Sequence, residues 1–257
     1  MEPGLMAGGY FSAKPPAEPF RLFGRAHLVA LGVVGGGIAA LGCLRGQSPE
    51  TLAAVKRGLV VATFAQELFL HGWRAATGRW TLTEMLPVHA CTWALWLGGV
   101  GALTGNRTMR DYSYYLGIAG AMQALLTPDL AEYGPGNVQF AQFFASHGLI
   151  VALPVHLLLH EGYRPTWRGA ARTLGVLAGQ AVLAYAVNER VGSNYLFVSR
   201  KPPTASLLDR LPPWPAYIPV LYTLAAGGIA VMTVPFAGVP GQGLRRRRPA
   251  GENVSGG

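Results

Sequence analysis

Hydrophobic and polar positions along this chain fall into long blocks, with no fine alternation between them. Read from one charged residue to the next, seven windows are nearly free of Asp, Glu, Lys and Arg: 26–44, 58–73, 85–106, 112–128, 140–160, 173–188 and 216–239. A hydrocarbon core of about 30 Å calls for about 20 helical residues. Three windows fall short of that, and snorkelling arginines with flanking aromatics make up the difference. Helices are required, because lipid offers exposed backbone groups no partner, and a barrel would need alternating strands that the chain lacks. The pattern predicts an all-α, polytopic membrane bundle of about seven transmembrane helices. It divides the chain into a polar N-terminal tail (1–25), one seven-helix domain (26–240) and a disordered, Arg-rich C-terminal tail (241–257).

Composition narrows the choice. Charged residues make up 13% of the chain and apolar ones 51%, with a mean hydropathy of +0.29. A soluble domain carries about 25% charge, so a solvated globule, a disordered chain, a coiled coil and a disulfide scaffold are excluded. Cys43 and Cys91, the only cysteines, each lie in an apolar window, which argues against a structural disulfide. The net charge of +9 has no basic face with interleaved aromatics to serve, so nucleic acid is not the expected partner; membrane lipids are. The run 245–248 reads as a tail near anionic headgroups. Seven spans place twelve Lys/Arg on the C-terminal side against nine on the other, favouring N-terminus out, C-terminus in, for a multi-pass protein of the cell membrane. The polar leader is too long for the n-region of a secretory signal. Glycines four apart (Gly32/Gly36, Gly101/Gly105, Gly175/Gly179) suggest close helix packing.

Polar groups inside such windows are costly unless they face the interior and find partners. All six histidines (His27, His71, His89, His147, His156, His160) lie within or at the rim of a window, and Glu67 is the one acid well inside one. Glu67 and His71, four apart, share a helix face, which suits a carboxylate orienting an imidazole or simple interhelical glue. His156 and His160 have the spacing for zinc but need a third ligand, so no metal is expected there. His89 and His147 fall in the outer thirds of the third and fifth windows, where they would converge. Cys91 is the best-placed thiol, inert without a neighbouring base, and His147 is the candidate for that base. The connection from Asn188 to Pro215 is long for a compact bundle, and its Gly192-Ser193-Asn194-Tyr195-Leu196-Phe197 stretch reads as a lid, a binding segment or an interfacial re-entrant turn.

Several blocks carry a family likeness: Phe23-Gly24 with His27-Leu28, Leu86-Pro87-Val88-His89-Ala90-Cys91, the block 123–130, Phe143-Phe144-Ala145-Ser146-His147, Tyr163-Arg164-Pro165-Thr166 and the run 194–214. Together, over about residues 20–240, the chain resembles the bacterial YwaF-like integral membrane proteins, which are similar to the transmembrane protein 164 family of eukaryotes. That resemblance implies a phospholipid acyltransferase using a thiol and a histidine. The histidine would correspond to His147. The thiol position, between a Pro and a His, is Val88 here, and Cys91 lies three residues on, one turn along the helix.

The expectation is therefore an interior polar cavity lined by His27, Glu67, His89, Asp129 and His147, with Asn194 and Tyr195 also binding ligand. In it a lipid acyl chain would be transferred or hydrolysed without a cofactor. His147 would serve as base, His89 as donor to an oxyanion, and Cys91 or water as nucleophile. The rival expectation is a non-enzymatic carrier or sensor that binds a small ligand or relays protons through the same His/Glu groups.

Overall fold

The computed structural model describes residues 9–130, 132–201 and 207–238; the 245–248 run lies outside them. Among the described residues there is no strand. The helices are α1 (Arg25–Ala40, continued by the 3-10 turn Leu41–Leu44), α2 (Pro49–Ala76), the short α3 (Leu82–Met85), α4 (Ala90–Thr104), α5 (Arg107–Tyr112), α6 (Ile118–Leu126), α7 (Val138–His160), α8 (Trp167–Val191) and α9 (Tyr217–Thr233). A π turn, Ser113–Gly117, joins α5 and α6 into one continuous rod.

The helix ends follow from local chemistry. Ser48, Asn106, Asn137 and Thr166 accept hydrogen bonds from backbone N–H groups in the first turns of α2, α5, α7 and α8. Gly105 (φ 76°) and Gly192 (φ 71°) close α4 and α8 in the left-handed conformation that glycine adopts without steric cost.

Each of the seven apolar windows lies on one of these rods; among the described residues four meet the length and apolarity needed to cross a membrane: Arg25–Leu44, Val138–His160, Trp167–Val191 and Tyr217–Phe236. Three of the seven expected spans fall short on this measure, for identifiable reasons. The α2 rod carries Glu50, Lys56, Arg57, Glu67 and Arg74; α4 has only 15 residues; the α5–α6 rod begins with Arg107, Arg110 and Asp111.

Helix α7 is the axis of the bundle. Half of its apolar window is buried, against 11% for α1 and 17% for α9, and it packs on α1, α2, α4 and α6. A methyl group added at Gly117 would meet Ala94 of α4 at 3.3 Å and Ile150 of α7 at 3.4 Å, while one at Gly98 would meet Leu153 at 3.6 Å. Thus α4 and α7 run in the same direction and α6 runs against both. The starts of α1, α4, α7 and α9 and the ends of α2, α6 and α8 consequently share one end of the bundle, called the entry end below. There the N-terminal segment forms an ordered strap. Val138 N–H donates to Tyr10 O (3.0 Å), the Trp73 indole to Phe11 O (2.9 Å) and Asn137 Nδ2 to Ser12 O (2.8 Å).

The glycine expectation needs revision as well. Gly32, Gly36, Gly175 and Gly179 have open space where a side chain would stand, because α1 and α8 turn those faces outward. Close approach occurs at Gly101, as expected, and also at Gly98, Gly99, Gly117 and Gly148, around α4 and α7.

Candidate functional site

At the entry end, α4, α6 and α7 bring Cys91 and His147 into register. Ala94, Gly117 and Ile150 form one contact layer. Cys91 and His147 each lie three residues from that layer toward the entry end, as does Gly120 on α6. Cys91 Sγ stands 3.5 Å from where a Gly120 side chain would begin, an ordinary contact distance, so the sulfur faces the backbone of α6 at this level. Cys91 and His147 are both partly accessible, unlike the fully enclosed residues one turn deeper.

The hydrogen bonds of the two candidate catalytic imidazoles set their tautomers. His147 Nδ1 lies 2.9 Å from Phe143 O, so it carries the proton, and Nε2 is left as an acceptor without a protein partner among the described residues. The Phe143 ring lies 4.2 Å from the imidazole, centroid to centroid, and fixes its plane. His89, the residue before α4, is arranged the other way: Leu196 N–H points at its Nδ1 (3.5 Å), which leaves the proton on Nε2. Tyr195 packs edge-on against this ring at 4.9 Å.

The turn that reaches His89 is held firmly. Asn188 Oδ1 accepts from Tyr195 N–H and Ser193 Oγ (both 2.7 Å), and its Nδ2 donates to Tyr195 O (3.1 Å). The buried Tyr195 hydroxyl donates to Leu82 O (2.7 Å) and accepts from Leu86 N–H (2.9 Å); burial pushes its pKa up, so it stays a neutral phenol. Leu196 (φ 56°) and Phe197 (φ 54°) both adopt left-handed backbone that is uncommon for bulky side chains. Such strain persists only where neighbours over-determine it, and here Phe197 O accepts from the Tyr217 hydroxyl.

The other expected site residues go elsewhere. His27 is fully buried with both nitrogens in use: Nδ1 accepts from Phe23 N–H (2.9 Å) and Nε2 donates to Leu125 O (2.8 Å). Glu67 is buried beside His71 (Oε1 to Nε2 3.6 Å), and His71 Nδ1 accepts from the Trp80 indole (3.0 Å). Asp129 is exposed in the loop after α6, so it does not line an interior cavity. Asn194 is bonded through both side-chain atoms to the backbone of Arg200, and Tyr195 is bonded as above. The single chamber shared by His27, Glu67, His89, Asp129 and His147 is therefore replaced by separate partner sets, because each ring finds its own backbone or aromatic neighbour. At the far end His156 and His160 lie 5.0 Å apart, ring to ring, and His160 Nε2 bonds Leu41 O. Among the described residues no group of three His, Cys, Asp or Glu is placed to hold a metal.

Sequence reasoning missed two groups. Gly120 and Asn188 carry no chemistry of their own, and only the packing shows what they face or hold. The second is the Asp111 network at the far end. Asp111, fully buried, takes Arg172 Nη2 (2.7 Å), Arg107 Nε (3.0 Å) and the Tyr163 hydroxyl (2.9 Å). Burial and the Asp111 carboxylate raise the Tyr163 pKa far above the ordinary phenol value, keeping it a donor.

The pattern of the TMEM164 family matches residues 22–233, which takes in all of the elements just described. The chain belongs to the TMEM164 family. An uncharacterized protein of Treponema pallidum (strain Nichols) is 34% identical to it over 119 residues, 46% of this chain and 48% of that protein. The match thus spans about half the length of that curated relative. No solved structure matches. Within this TMEM164-family chain, Val88, Cys91 and His147 all fall inside the matched range, and the bacterial YwaF-like likeness is compatible with it.

Proposed function

We propose that the chain is a multi-pass protein of the cell membrane, crossing it with all seven rods, that transfers or hydrolyses an acyl chain of a phospholipid at the entry end. The observation that carries this reading is the tautomer of His147. With Nδ1–H committed to Phe143 O, the free Nε2 is a base one helical turn from the layer where α4, α6 and α7 touch, level with Cys91. Nε2 takes the proton from the Cys91 thiol or from water, and the nucleophile attacks the ester carbonyl carbon. His89, proton on Nε2, donates to the oxyanion that develops, and the leaving alcohol takes its proton back from His147. No cofactor enters this sequence.

The test is mass-spectrometric turnover of phospholipids by the purified protein in nanodiscs. Wild type should release lysolipid or form a new acyl ester, with His147→Ala at background. Cys91→Ser then separates thiol from water: loss of turnover assigns the thiol, retention assigns water. Equal background turnover by wild type and His147→Ala overturns the reading.

One observation favours a second reading, a carrier or sensor. The Trp80–His71–Glu67 chain leads from a partly exposed imidazole to a buried carboxylate, the arrangement a proton relay needs. Proton-dependent uptake that survives Cys91→Ser and fails in Glu67→Gln would support it.

A further inference from the structure

Beside the strained 195–198 turn, α8 and α9 border a groove of about 590 Å³, open sideways. Its walls are Ala181, Val182 and Tyr185 of α8 and Ile218 and Pro219 of α9; Val198 and Trp214 close its upper end. Both helices are long and apolar enough to span a membrane, so the medium beside the groove is hydrocarbon. The Trp214 indole N–H is tied to Val198 O (2.9 Å), which makes the upper wall a fixed surface. A groove of this size falls within the range of ligand pockets.

The charge above the groove identifies the rest of the occupant. Arg200, two residues beyond Val198, rests on Gly192 O at the end of α8 and has no acidic partner among the described residues. Gly192 lies seven residues beyond Tyr185, so the guanidinium stands about 10 Å further toward the membrane surface. That offset separates a phosphate from the upper part of its own acyl chain. Tyr185 and Trp214, amphipathic rings suited to the headgroup boundary, line the end of the groove that faces Arg200.

We propose that this groove is a specific site for one acyl chain of an anionic glycerophospholipid, whose phosphate, with no ammonium in its own headgroup to neutralise it, rests on Arg200. The inference deepens the proposed function, on which any role of the bound lipid as substrate rests, but its test reads binding and not turnover. The full-length protein in nanodiscs is labelled with a phosphatidylglycerol carrying a photoactivatable group in its acyl chain, and the cross-linked peptides are mapped. Labelling should saturate and concentrate on the peptides holding Val182, Tyr185, Trp214 and Ile218. Ala181→Phe, which fills the groove, should abolish that concentration. Arg200→Gln, on the surface and harmless to folding, should weaken competition by unlabelled phosphatidylglycerol about fivefold and leave competition by phosphatidylcholine unchanged. Labelling spread evenly over the outward faces of α1 and α9, unaffected by Ala181→Phe, would mean annular lipid alone and overturn the site. Groove labelling with equal competition by both lipids in wild type overturns the headgroup assignment. Background turnover in the preceding experiment with intact groove labelling would sink the catalytic reading and leave this one standing.

Discussion

The Asp111 cluster at the far end and the imidazoles of His147 and His89 at the entry end handle polar groups in opposite ways. At the far end, Asp111 is completely enclosed and each of its oxygens has a charged or phenolic donor: Arg172, Arg107 and Tyr163, drawn from α8, α5 and the loop between α7 and α8. Glu161 likewise is shared by Lys56 and Arg110. At the entry end, His147 and His89 each use one ring nitrogen to fix the other, and the second nitrogen has no protein partner among the described residues. A saturated cluster holds helices together and has nothing left for chemistry. A half-used imidazole adds little to stability and leaves a directed group for a reactant. The difference teaches that burial of a titratable group does not by itself indicate a site; what matters is how many of its bonding positions the fold has consumed.

The sharpest way to break this contrast is at Asp111. Asp111→Ala strands the buried Tyr163 hydroxyl and sets Arg107 and Arg172, 41% and 42% exposed, facing one another; three hydrogen bonds to a charged group are lost, at about 1.5–3 kcal/mol each before the arginines regain water in part. The detergent-solubilised variant should melt far lower than wild type or fail to elute as a single species. Gly169→Ala should act at the same place, since its methyl would lie 2.8 Å from the Asp111 carboxyl. Turnover per folded molecule should be unchanged in whichever of the two survives.

His147→Ala should behave in reverse. Its one hydrogen bond is to its own helix, so thermal stability should hardly move, whereas removal of a general base lowers turnover about 10²–10⁴-fold. A large loss of stability together with normal turnover would place His147 with the structural group and erase the contrast between the ends.

Much of the fold was legible because charge spacing reports helix length directly. The windows 26–44 and 140–160 match Arg25–Leu44 and Val138–His160 to within two residues. Less legible was which rods stand at the centre, since α7 and α1 read alike as apolar stretches and only packing buries half of one and 11% of the other. Of the candidate site, the residue types were readable and their partners were not. His27 and His147 look equivalent in sequence, yet a carbonyl at Leu125 and an N–H at Phe23, far apart in the chain, occupy both nitrogens of the first. Asp129 was misjudged because Thr127-Pro128-Asp129 ends the helix and carries the carboxylate into an exposed loop.

His27→Ala offers an intermediate test of the same distinction. It deletes an acceptor for Phe23 N–H and a donor to Leu125 O, so two groups at the α1–α6 junction lose their partners, at about 1–3 kcal/mol for each one that stays buried. The melting temperature should fall clearly, by less than for Asp111→Ala, and turnover per folded molecule should stay near wild type. Lost turnover at unchanged stability would instead return His27 to the catalytic group.

The smallest effect is expected at Tyr195, where structure and site meet. Tyr195→Phe keeps the ring that packs on His89 and removes only the hydroxyl that bridges Leu82 O and Leu86 N–H. The cost to stability should be about 1–2 kcal/mol, because both backbone groups sit near the chain surface and regain water in part. Its effect on turnover should be selective. The Asn188 bonds still hold the backbone of the turn, so Leu196 N–H keeps its place and the His89 tautomer survives. Asn188→Ala releases that backbone while leaving the hydroxyl intact, and should lower turnover more than Tyr195→Phe does at comparable stability. If instead the two variants lose turnover in proportion to their loss of stability, the turn is scaffold only, and the contrast between saturated and half-used imidazoles narrows to His147 alone.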